Sequence, residues 1–217
     1  GDTKVRKVKI PKYSLSEELI NAISHGIGAG LSIAALVLLI VHSKNVISVL
    51  SSITYGVSLI VLYTISCIYH SLSPKLTGKK VLRVIDHCNV LLLEAGTYTP
   101  ICTCLIKGKL GLSLLIIIWV ISIIAIVANA IDVDKYQGLS VICHLVMGWG
   151  ILLFYPLLKT LCPKVGLIYL ILGGIMYTIG AILYGLGAKK KYMHSIFHFF
   201  VLAGSIFHFF MIYLYVI

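Results

Sequence analysis

Seven apolar stretches run through this chain, at 19–41, 46–70, 87–106, 110–130, 138–158, 165–187 and 193–217. Each is close to the ~20 residues that a helix needs to cross a bilayer. Hydrocarbon offers no partner to a free backbone N–H or C=O, so segments of this length must close their hydrogen bonds internally, as helices. Their connections are short, which sets consecutive helices antiparallel. With 59% of the 217 residues hydrophobic and 12% charged, the chain carries more apolar surface than a soluble core can hide. The expectation is an all-α membrane protein, a single seven-transmembrane helix bundle over 1–217 with an N-terminal tail at 1–18 and no second domain. The first stretch is too long for a signal-peptide core and lacks a small-residue cleavage pattern, so it reads as a retained span.

A net charge of +11 would suit a nucleic-acid partner, but its placement points elsewhere. Thirteen of the eighteen lysines and arginines fall in the N-terminal tail and in the second, fourth and sixth connections, and five in the others. By the positive-inside rule the N-terminus is cytoplasmic and the C-terminus outside. The basic surplus then serves topology and contact with anionic headgroups, and no nucleic acid is expected. The six cysteines show no CxxC pairing, and most fall inside spans. They read as small buried residues; Cys102, Cys104 and Cys162, toward the outer face, leave a bridge open.

An ionisable side chain inside a span is costly, about 2.5–3.5 kcal/mol for a central charge on insertion scales, so such residues are informative. The second span ends on the cytoplasmic side with "SCIYH", where Ser66 and His70 share one helical face. The third begins there with Asp86 and His87, and the seventh with His194 and His198. Two imidazoles four residues apart on a helix are the spacing that presents a pair of metal ligands. A third from a neighbouring helix completes a His₃ set that leaves zinc one open position. The alternative is that His194 and His198 hydrogen-bond between helices, or sit at the headgroup boundary beside Lys189, Lys190 and Lys191.

The other histidines fit that ion less well. His208 lies ten residues beyond His198, about 15 Å deeper, and reads as an interhelical hydrogen bond. His42 is at the opposite surface, and His87 and His144 have no partner at i+4. Glu18, Asn21 and His25 share a face at the start of the first span, where they line the mouth of the site or pin helices together; pinning is the expectation. Pro100 should end or kink the third span. Gly173, Gly174 and Gly180 in the sixth span, with Ala203, Gly204 and Ser205 in the seventh, should let helices approach closely.

Six segments in order give the chain a further reading: "EELINAISHGIGAG", "SCIYHS", "DHCNVLLLEAGTYTP", "MGW", "YTIGAILY" and "HSIFHFFVLAGSIFHF". Through them the chain resembles the hemolysin III family, within the superfamily that includes the progestin and adipoQ receptors, and is similar at longer range to alkaline ceramidases. The resemblance implies a multi-pass protein of the plasma membrane (the bacterial inner membrane), with one zinc ion near the cytoplasmic leaflet. It implies that His70, His194 and His198 bind zinc, and that Asp86 and Ser66 hold or activate its water. One position departs from the pattern. Glu94 stands where an apolar residue is expected before "AGTYTP", about 12 Å deeper than Asp86. It reads as a protonated, hydrogen-bonded carboxyl or as part of a proton or cation path.

The reaction that fits is zinc-dependent hydrolysis of a lipid amide or ester, in membrane lipid homeostasis. Asp86 would act as general base or water-orienting group and Ser66 as a hydrogen-bond donor. Membrane lipids are the expected substrate, and a homo-oligomer is left open. Two other classes stand beside this one. The first is a pore-forming, cytolytic hemolysin. The second is a receptor or transporter with a structural zinc.

Overall fold

The structure, a computed structural model, describes residues 8–187 and 190–217. Lys4, Arg6, Lys7 and Lys189, part of the basic surplus, and residues 1–7 of the tail expected at 1–18, lie outside the described residues. Seven helices are long and apolar enough to cross a membrane, and the described residues include no strand.

The first two spans form an antiparallel pair, α1 (Leu15–His42) and α2 (Val46–Ser71). Ser14 caps α1 in a reciprocal box with Glu17, and Asn45 caps α2 in another with Ser48, so free N–H groups at both helix starts are satisfied. Between them, the Ser43 hydroxyl donates to the Leu39 carbonyl and bonds Ser52, so the tight reversal satisfies itself.

The third span is α3 (Thr77–Pro100), continued by a π-helical segment, Ile101–Ile106. It begins at Thr77 rather than at 87, because the charges that seemed to mark a loop are neutralised inside the bundle. Lys79, fully buried, donates to Glu18 at 2.5 Å, and Arg83 pairs with Asp134 at 2.9 Å. At the far end Pro100 brings no N–H, and the regular ladder gives way there as expected. The wide segment closes on Lys107 and Gly108, both at φ near +60°.

The fourth span is α4 (Gly108–Ile131). The fifth is broken into α5 (Val133–Gly150), a 3₁₀ turn (Ile151–Phe154) and α6 (Tyr155–Leu161), with Pro156 in the first turn of α6. The last two are α7 (Lys164–Gly187) and α8 (Met193–Tyr215).

α3 packs against α2, α4 and α5 and is the most buried of the spans, while α1 packs on both α2 and α8. α7 lies along α8, and the small residues explain how closely. A Cβ at Gly173 would be driven into the His208 ring. Large apolar side chains such as Val41, Ile124, Val146 and Leu153 stand exposed on the outside, where lipid is the solvent that suits them. All six cysteines are free, Cys102 and Cys162 buried.

Candidate metal centre

The end of the bundle at which α1 begins gathers the start of α1, the end of α2, the starts of α3 and α5, the end of α7 and the start of α8. His70 on α2 and His194 and His198 on α8 meet there, all three buried, with ligand atoms within 4.8 Å of one another.

The ring nitrogens divide into two sets. His70 Nδ1 lies 2.6 Å from Glu18 Oε2 and 3.4 Å from Asn21 Nδ2. His198 Nδ1 donates to the Asn21 carbonyl at 3.2 Å, with Ser24 Oγ at 3.5 Å. These outer contacts come from α1 and fix both rings. The inner nitrogens are left facing each other. His194 Nε2 and His198 Nε2 stand 3.2 Å apart, and His70 Nε2 is buried without a hydrogen-bond partner among the described residues.

Two nitrogens ~2.0–2.1 Å from a tetrahedral zinc stand roughly 3.3–3.4 Å apart, so this pair has the spacing that one ion requires. An orphaned buried imidazole nitrogen beside it could supply a third ligand, and a carboxylate on the far nitrogen is the outer contact that metal-binding histidines commonly make. The residues present fit a metal ion.

Asp86 and Ser66 complete the group. Ser66 Oγ lies 2.6 Å from His25 Nδ1 and meets the Asp86 carboxylate across the α2–α3 contact. His25 stacks on His198 with ring centroids 3.7 Å apart. Asp86, Ser66, His25, His194 and His198 open onto one internal cavity of about 160 Å³, which continues past Leu91 and Glu94 to Tyr98 and Ile151 and is predominantly apolar. At the opposite side Tyr13, ahead of α1, stacks on His194 at 4.9 Å and 24° and lies 6.0 Å from the His70 ring. Burial, with Tyr184 and Glu18 nearby, pushes its phenol above the usual range, so the ring covering the histidines stays neutral.

The other polar residues separate cleanly. His87 is spent on the Arg83 carbonyl at 2.8 Å and the Tyr184 hydroxyl at 2.6 Å, and His208 on the Leu170 carbonyl at 3.1 Å. His42 is exposed against Tyr213. Glu18, Asn21 and His25 pin helices together as expected, but their bonds go to the site itself. Sequence reasoning missed that the Glu18 carboxylate orients His70, that Tyr13 covers His194, and that His144 is the partner of Glu94. The first was within reach: Glu18, Asn21 and His25 on one face at the depth of the histidines was already a signal.

A bundle of seven membrane-spanning helices, closed around three converging histidines with an aspartate and a serine beside them, defines a multi-pass membrane protein built around a buried site that can hold a metal ion. The chain belongs to the haemolysin-III family: it matches the family described as "Haemolysin-III related" over residues 13–209. It is 40% identical to "Hemolysin-3" of Bacillus cereus over 208 residues, covering 94% of this chain and 93% of that protein. It is equally identical to the "Hemolysin-3 homolog" of Bacillus subtilis (strain 168) over 206 residues, 94% and 96% of the two chains. At greater distance it is 24% identical to the human "Monocyte to macrophage differentiation factor" over 158 residues, 70% of this chain and 64% of that protein.

Proposed function

We propose that this protein is a zinc-dependent hydrolase of lipid amide or ester bonds, with His70, His194 and His198 holding the metal near the cytoplasmic face. The observation that carries this is the division of the ring nitrogens. The outer atoms of His70 and His198 are tied to α1, the inner ones converge, and the site opens on an apolar cavity instead of being sealed on all sides. Zinc with three protein ligands and one open position supplies a nucleophile from water near neutral pH and polarises a carbonyl.

The chain's own residues do the rest. Asp86 faces the cavity beside the histidines, where its carboxylate takes a proton from the attacking group and returns it to the leaving nitrogen or oxygen. Ser66, held by His25, orients that carboxylate or donates to the oxyanion. The apolar walls toward Leu91 and Tyr98 exclude water and accept a hydrocarbon tail. The positive-inside bias favours the inner leaflet for this end, and a substrate would then enter from the membrane.

The names of the two Bacillus relatives favour a second reading, membrane lysis. A lytic protein usually reaches its target from a soluble state, and seven apolar spans disfavour one. The test uses purified protein in mixed micelles with N-acyl lipid amides. Fatty acid release that stops with a chelator, returns with zinc and is lost in Asp86→Asn supports the hydrolase. Liposome leakage at low protein without release supports lysis, and saturable lipid binding without release supports a receptor.

A further inference from the structure

The cavity holds a second polar centre that the chemistry above does not use. Glu94 on α3 and His144 on α5 face each other in mid-membrane, Oε2 bonded to Nδ1, with Glu94 buried. Gly148 makes room for this carboxylate, since a Cβ there would stand 3.2 Å from Glu94 Oε1.

The neighbouring polar groups are satisfied within the protein. Tyr98 donates to the Met147 carbonyl at 2.5 Å, Trp149 to Thr178 at 2.9 Å, and Tyr177 bonds Ser205 at 2.7 Å. Glu94 Oε1 and His144 Nε2 have no hydrogen-bond partner among the described residues, nor are they sealed from the cavity that both residues line. A saturated hydrocarbon lying there would leave both unsatisfied and would displace any water that served them. A hydroxyl would relieve this by donating its proton to the carboxylate, and its oxygen would accept from Nε2 when the imidazole of the pair is protonated.

We infer that Glu94 and His144 form a binding site for a hydroxyl or similar polar group in the middle of a lipid chain, so that the preferred ligands are mid-chain-hydroxylated acyl lipids. This rests on the reading of the cavity as a lipid site. The eight residues from Asp86 to Glu94 place the anchor about 12 Å from the head end. An extended chain gains about 1.2 Å per bond, as a backbone does at ~3.6 Å per three bonds, so the hydroxyl falls about ten carbons from the head.

The experiment is equilibrium binding of fatty acids to the zinc-loaded protein in detergent, by displacement of a fluorescent fatty acid. The probes are octadecanoic acid and its 3-, 10- and 12-hydroxy forms. The 10- or 12-hydroxy form should bind about tenfold or more tighter than the plain and 3-hydroxy forms. The double variant Glu94→Leu/His144→Leu, which replaces the buried pair by apolar side chains, should abolish that preference while retaining the plain acid. Equal binding of all four acids by the wild type overturns the inference and leaves the lipid reading standing. Binding of none overturns both. Because the wild-type isomer series decides the matter alone, a variant that fails to fold does not rescue it.

Discussion

Glu18 Oε2 and His70 Nδ1 lie 2.6 Å apart across the α1–α2 contact, and this bond turns the other nitrogen of His70 toward His194 and His198. The same carboxylate holds Lys79 through its second oxygen at 2.5 Å. One acidic side chain thus sets both the orientation of a candidate ligand and the start of α3.

Glu18→Gln keeps acceptor capacity toward Lys79 but removes the charge that favours Nδ1–H on His70. Zinc affinity, measured by competition with a chromogenic chelator, should fall about 10–100-fold. Thermal unfolding of the metal-free protein should change much less. An unchanged affinity would mean that His70 is held by packing alone.

Tyr13 lies flat against His194 and should slow escape of an ion toward that side. A stacked ring is worth about 0.5–1.5 kcal/mol, so Tyr13→Ala should speed zinc loss to EDTA by up to roughly tenfold. Tyr13→Phe, which keeps the ring, should exchange at the wild-type rate. Equal rates in all three proteins would remove Tyr13 from the site.

Gly173 is set by the His208 ring. Gly173→Ala overpacks the α7–α8 contact at a cost of about 1–3 kcal/mol and should lower the Tm in detergent by several degrees. His208→Ala in the same chain should restore most of it. If Gly173→Ala unfolds like the wild type, the contact is looser than described.

The seven spans were legible because lipid admits one solution for ~20 apolar residues. The start of α3 was not, since Lys79 and Arg83 read as loop until Glu18 and Asp134 are seen to neutralise them. The histidine group was legible in part: i,i+4 spacing fixed His194 and His198 on one face, and alternating direction put His70 at the same depth. What periodicity along one helix cannot reveal is which side chain on another helix it meets. His144, without a helical partner, therefore looked idle, and the hydrogen-bond partner expected for Glu94 had no name.

Metal content of the purified protein measures the core of this proposal most directly. Wild type should carry one zinc per chain, His70→Ala, His194→Ala and His198→Ala should each lose most of it, and Asp86→Ala should keep it while losing turnover. Histidine variants that retain the metal, or a folded wild type that takes up none on titration, would contradict it.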